Sequence, residues 1–321
     1  MSFKITRYHH NMQSHWDDVI ARSDKGTFMH RRAYMEYHAT RFEDFSLLVY
    51  KDQIPVAVLP AHRQGLHIIA HNGLTYSDFI FDKKLRIAHQ IDIMSASMAF
   101  MLDNDLNSFR IKSIPVFFHN QPNESTLYLY HKMKGIPVEI KPFFVLHTHN
   151  FILNKDRKKN LKRLKKLNLT IKDDAHYIEA YWQIVTQNLK ETYQSKPVHS
   201  LDEIQLLMQR FPEQIKLFTI FDRSQLLGGA LVYIINNVVH FQYINAHPHH
   251  DKSAIDLLIF DIIERYKNEY THISFGSSAT GDQNLNAGLS YWKESFGCKI
   301  LNQYIYDVKL DNYKLLNTTL Q

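Results

Sequence analysis

The residues that could do chemistry in this 321-residue chain gather in a few short stretches. The most charged is NKDRKKNLKRLKKLNL at 154–169, with eight Lys/Arg between Lys155 and Lys166 against one acid, Asp156. Such a run can hold phosphates, carboxylates or a nucleic-acid backbone. A second stretch, HNGLTYSDFIF at 71–81, sets Asp78 among Tyr76, Phe79 and Phe81. Partial desolvation by aromatic rings can turn a carboxylate into a proton acceptor, although an Asx turn or a local pair would use the same side chain. A third is Gly276-Ser277-Ser278, where N–H and hydroxyl groups meet either a ligand or only the turn itself. It lacks the Gly-x-Ser-x-Gly pattern of a nucleophile elbow. His247, His249, His250 and Asp251 have a superficial metal-ligand spacing, but Pro248 interrupts it and no distant pair matches, so no metal is expected.

The rest of the chain bounds what these stretches can serve. Hydrophobic residues make up 45% and charged residues 22%, which is globular composition with ample material for a core. The net charge is +6, and the 155–166 run alone contributes +7, leaving the rest of the chain near neutral, so the basicity is local. A single cysteine, Cys298, excludes an intrachain disulfide and argues against a thiolate metal site. The first residues show no signal-peptide pattern, and no apolar run nears the roughly 20 residues of a membrane span. A soluble, cytoplasmic protein is the expectation.

Hydrophobic periodicity then supplies the elements that must position these groups. In the C-terminal half, Ile178, Trp182, Val185 and Leu189 recur at helical spacing. Ser200 followed by Glu203 signals a capping box. Strands at 216–221, 226–235 and 238–245 are joined by tight polar turns and read as an antiparallel meander. A helix at 251–269, a strand at 271–276, a helix at 285–296 stopped by Gly297 and a last strand complete the half. The N-terminal half runs in the same order: a helix with Trp16 and Val19 at the spacing of Trp182 and Val185, a short helix at 30–39, and strands at 45–50, 54–61 and 66–71. A helix at 84–102, a strand at 109–113, a helix at 123–134 stopped by Gly135, and a strand at 143–149 follow. Two passes of helix, helix, three strands, helix, strand, helix, strand make a tandem pseudo-repeat. The expected class is α/β (α+β), with mixed, mostly antiparallel sheets flanked by helices. Its domains are placed at 1–150 and 151–321, the second opened by a basic helix at 154–168 with Asn154 as N-cap.

This order resembles the GNAT (acyl-CoA N-acyltransferase) fold, and two such units resemble the FemAB/FemX-type transferases and their polysaccharide-pathway relatives. The similarity is sharpest in Phe275-Gly276, Ser277-Ser278, Leu285-Asn286-Ala287-Gly288-Leu289 and Lys293-Glu294-Ser295-Phe296-Gly297, and in 71–81. It extends over essentially the whole chain. It implies direct transfer of an acyl group from acyl-CoA (acetyl-CoA) to an amine of a sugar-nucleotide, glycan or cell-wall precursor, without a covalent nucleophile or a metal. An aminoacyl-tRNA donor, or a non-catalytic module binding an anionic polymer, are the alternatives.

The resemblance implies that Tyr243 and Asn245, at the end of the last meander strand, bind or polarise the acyl carbonyl; Tyr243 can equally be a half-buried strand tyrosine. Thr75, Tyr76 and Asp78 would face a cleft from the first half, with Asp78 as base. Lys252 and Ser253 would help a helix N-terminus hold an anion, although 245–254 contains no glycine where GNAT enzymes carry a glycine-rich loop. Ser277, Ser278, Asn286 and Lys293 complete the expected contacts, Lys293 reaching a phosphate or carboxylate or else lying solvated. The helical hairpin that tRNA-using relatives often carry is not visible. For the basic helix three readings stay open: a solvated linker, a cradle in which Arg157, Lys158 and Arg163 hold a phosphorylated substrate, or a tRNA contact.

Overall fold

The computed structural model describes residues 3–320. The chain forms two units: the first runs to Lys141 and resumes at Asn302, and the second is Pro142–Leu301.

The first unit opens with β1 (Lys4–Arg7), α1 (Gln13–Ala21) and α2 (Arg32–Met35). There follow β2 (Glu43–Asp44), β3 (Leu47–Lys51), β4 (Ile54–Leu59), β5 (Ala61–Gln64), β6 (His67–Ala70) and β7 (Ile80–Phe81). It continues with α3 (Ile87–Leu102), β8 (Ser108–Lys112) and α4 (Ser125–Lys132), and the chain leaves it within β9 (Ile136–His147). Trp16, Val19 and Ile20 form the buried face of α1, and the Trp16 indole donates to the carbonyl of His30 at 2.8 Å. Pro60 has no N–H to offer a ladder, and the expected strand 54–61 ends there. β4 joins a sheet ordered β1-β3-β4-β7, whereas β5 lies between β2 and β6. The helix stop at 134–135 also differs in detail. Lys134 takes the left-handed conformation (φ 54°), and the Gly135 amide donates to Tyr130.

The second unit begins with α5 (Lys155–Leu164), β10 (Leu169–Asp173), α6 (Ile178–Tyr193) and α7 (Leu201–Arg210). The meander follows as β11 (Ile215–Asp222), β12 (Gln225–Ile235) and β13 (Val238–Ala246), then α8 (Ala254–Tyr266), β14 (His272–Ser277), α9 (Ala287–Ser295) and β15 (Lys299–Lys309). Local signals act as written. Asn154 accepts from the Arg157 amide, and the Ser200–Glu203 box is reciprocal. Gly297 stops α9 with φ +98°. Ile255, Leu258, Ile259, Ile262 and Ile263 make one buried stripe of α8 and centre the core of this unit.

Two differences from the expected repeat stand out. Each pass starts with a strand, β1 or β10, that pairs antiparallel with the first meander strand, β3 or β11. The closing strands are also exchanged. The 143–147 stretch of β9, expected to close the first half, pairs with β14 in the second unit. Residues 305–309 of β15 pair with β8 in the first unit, where Val308, Leu310 and Leu316 enter its core. Among the described residues no helix is long and apolar enough to cross a membrane.

Candidate functional site

In the second unit β13 and β14 run parallel and paired only over Val238–His240 and His272–Ser274. Beyond that they part, and a cavity of about 320 Å³ lies beside the parting. Ladder register explains its lining. Leu231 pairs with Tyr243 and Val232 with Phe241, so Gln242 is an extra residue, a β-bulge. The bulge breaks strand alternation: Phe241 and Gln242 both face the cavity, followed by Ile244 and Ala246. Phe275, Ile255, Leu289 and Trp292 add apolar walls, and Lys252 and Lys293 supply the cations. Among the described residues, none of the side chains lining it is a carboxylate or an imidazole.

Lys293 is 3% exposed. Its Nζ donates to the carbonyls of Gly276 (3.2 Å) and Ser277 (2.7 Å), across the turn where Gly276 takes φ +68°. Burial pulls its pKa down to about 8, which leaves it mainly an ammonium near neutrality, with one N–H beyond those two bonds. His240 lies close by, its Nδ1 within 3.0 Å of the Ser274 hydroxyl. Burial, and then the Lys293 charge, lower it to about 4, so it is a neutral imidazole.

The other expected residues fall elsewhere. Tyr243 and Asn245 turn to the opposite face of β13. Tyr243 bonds His199 at 2.9 Å and packs edge-on against Trp182, with its pKa pushed up to about 12 by burial. Asn245 meets Asn188 of α6. Ser277 Oγ accepts from the Ala279 amide. Ser278 is buried, and its hydroxyl has no hydrogen-bond partner among the described residues. Asn286 caps α9 by accepting from the Leu289 amide.

At the start of α8 the expected anion cradle is already filled. The Ser253 amide donates to the Asp251 carboxylate (2.9 Å). The amides of Ala254, Ile255 and Asp256 donate to the carbonyls of Asp251, Lys252 and Ser253. Ser253 Oγ accepts from Arg163, whose guanidinium also approaches Asp251 at 3.7 Å. Arg157 is likewise taken. It forms a buried ion pair with Asp256, bonds Ser295 at 2.8 and 3.0 Å, and lies over the Phe296 ring. Trp292 and Asn160 satisfy the rest of that carboxylate, so the group joins α5 to α8 and α9. Lys158 points to solvent.

Of the three first-unit residues, Tyr76 and Asp78 are buried and Thr75 is exposed. Asp78 is 1% exposed and accepts from Thr126 (2.6 Å), Tyr130 and the Phe79 amide, with Lys25 Nζ at 3.7 Å. Its oxygens are taken, which suits a buried ion pair rather than a base that must accept a substrate proton. Tyr76 packs on Phe118, and Thr75 offers its carbonyl to Gln303. In the loop after β13, His249 and His250 bond Gln187 and Gln225. The structure thus gathers Lys252, Lys293 and the 276–277 turn, and leaves the other expected residues apart from them. Gln242 and His240 were missed, because the bulge that places Gln242 depends on pairing with β12, and no local pattern signals it.

Residues 153–293 match the family model described as an acetyltransferase (GNAT) domain. No curated protein matches the sequence significantly. Among solved structures, FemX aligns with TM-score 0.66 at 9% identity, covering 97% of this chain and 99% of that one. L-PGS from Bacillus licheniformis aligns with TM-score 0.62 at 9% identity over 91% and 90%. A tandem GNAT protein from the clavulanic acid biosynthesis pathway aligns with TM-score 0.53 at 9% identity over 96% and 99%. At such identities these likenesses speak for the fold, while the domain match speaks for the chemistry. The chain is an acyltransferase of tandem GNAT fold, FemAB-like in architecture.

Proposed function

We propose that the second unit transfers an acyl group from an activated donor to an amine of a sugar-nucleotide, glycan or cell-wall precursor, in the cavity where β13 and β14 part. The observation that carries this reading is Lys293, a buried cation beside a cavity whose other lining residues are apolar except Gln242 and Lys252. The acceptor amine attacks the acyl carbonyl, and negative charge grows on the carbonyl oxygen. The N–H of Lys293 beyond its two backbone bonds, with the Gln242 amide, stabilises that oxygen in a low-dielectric setting. The carbon–nitrogen bond forms and the bond to the leaving group breaks. With no carboxylate or imidazole in the lining among the described residues, the amine proton passes to water at the mouth, and the leaving group takes up a proton there. Asp78 and Tyr243 support the architecture in this scheme, and Asn245 positions α6 against β13.

The fit to acyl-CoA is divided. The apolar walls suit a thioester and its arm, whereas the α8 amides and Asp251 offer no cradle to a diphosphate. That second observation favours a further reading, an aminoacyl-tRNA donor, whose reacting ester needs no diphosphate site at α8. Thermal-shift titration of the full chain separates the two. Stabilisation by acetyl-CoA or longer acyl-CoAs supports the thioester. A response to charged tRNA alone, steeply weakened by salt, would replace it with the ester.

A further inference from the structure

α5 leaves a charged surface that the acyl-transfer scheme does not use. Its inward side is settled by Leu161 and Leu164, both buried, and by the Arg157–Asp256 pair. At 100° per residue, Lys155, Lys158, Lys159 and Lys162 fall within an arc of about 100° on the other side. All four are exposed, and none takes part in an ion pair among the described residues. Two large aliphatic side chains bracket this face in sequence and stand in water: Ile152, 76% exposed, and Leu167, 45% exposed.

We propose that this face of α5 docks on an anionic phospholipid surface. Four lysines on one arc supply point charges, which suit the diffuse negative field of a lipid headgroup layer. The groups that read RNA are missing from the face. Arg157 is turned inward, and one arm of the exposed Arg163 fork is engaged at Asn160 and Ser253, so no free bidentate fork stands on this face. No aromatic side chain stands among the lysines to stack a base. The flanking aliphatics are what an interfacial helix inserts beside its cations. Each lysine brought to such a surface strengthens binding about fivefold. The proposal stands apart from the acyl-transfer reading, since it uses none of the cavity residues.

The test is co-sedimentation of the full chain with vesicles of phosphatidylcholine, with and without phosphatidylglycerol. Binding is expected only to the anionic vesicles and should fade as salt rises. The combined variant Lys155→Gln, Lys158→Gln, Lys159→Gln, Lys162→Gln should lower affinity by about two orders of magnitude or more with an unchanged melting temperature, because all four side chains are exposed. Ile152→Ser with Leu167→Ser should weaken binding less and leave its salt dependence intact. Three results overturn the proposal: no binding to anionic vesicles at low salt, undiminished binding by the lysine variant, or tighter lysine-dependent binding to RNA than to the vesicles in one buffer.

Discussion

The two units start from the same plan and use it oppositely. Each pairs two strands in parallel for three residues, β13 with β14 in the second unit and β6 with β8 in the first. Each then buries a lysine on two backbone carbonyls. Lys293 bonds Gly276 and Ser277; Lys112 bonds His71 (2.9 Å) and Leu74 (2.6 Å). The second unit leaves space next to its lysine. In the first, segment 71–78 lies against β8: Ser77 bridges to Lys112 through backbone, and Gln303 holds the carbonyls of Thr75 and Ser113. Burial lowers both lysines, to about 8 for Lys293 and about 7 for Lys112, so a shifted pKa alone does not separate a site from a plug. What separates them is whether the chain fills its own opening.

Acid should break this comparison most visibly. His30, His62 and His119 in the first unit have pKa values lowered to about 4, 4 and 3, and His71 to about 2, chiefly by burial. In the second unit only His240 among the described residues is lowered that far, to about 4. The unfolded chain takes up these protons first as pH falls, so the stability they confer is whole above about 6.5 and drains away toward 4 for His30 and His62 and toward 3 and 2 for His119 and His71. For fully buried His30 this is on the order of 3 kcal/mol. Hydrogen exchange at pH 5 should therefore show the first unit opening before the second. Equal opening of the two would contradict the difference in histidine burial.

Asp78→Ala should remove about 3–5 kcal/mol of stability by stranding the Lys25 charge, with turnover per folded molecule kept. Loss of turnover at full stability would restore Asp78 as a base. Lys293→Met should lower kcat roughly 100- to 1000-fold at nearly unchanged melting temperature. Lys112→Met should do the reverse, costing roughly 2–3 kcal/mol by leaving two buried carbonyls unmet while preserving kcat. In the wild type, the part of kcat that needs the Lys293 ammonium should fall as pH rises past about 8. The smallest effect belongs to Tyr243→Phe, about 1 kcal/mol for its lost bond to His199, read by calorimetry; a large drop in kcat would place Tyr243 in the reaction.

Much of the fold was legible because it is local. Asn154, Ser200 with Glu203, and Gly297 each act within one helical turn of their own position, and the buried stripe of α8 repeats at helical spacing. What escaped the sequence depends on partners far along the chain. Phe143 to Leu146 are apolar enough to be core in any sheet, and nothing in them names β14 as the neighbour. The site was less legible still. Lys293 was expected to reach a phosphate or carboxylate or to lie solvated, whereas it is buried on the carbonyls of Gly276 and Ser277. Alternation along β13 would put Tyr243 with Phe241, and the bulge at Gln242 undid that alternation. Arg157 and Arg163 were read as ligand-binding cations because sequence does not show which charges a neighbouring Asp or Ser has already engaged.

The exchange of closing strands sets a timetable for synthesis. The ribosome makes the first unit up to Lys141, then all of Pro142–Leu301, and only afterwards the β15 residues that flank β8. At 5–20 residues per second that interval is roughly 10–30 s. For that time β8 lacks its outer neighbour and presents an open strand edge, while the second unit, whose β9 stretch is made at its very start, meets no such wait. The unit that is made first is the one completed last.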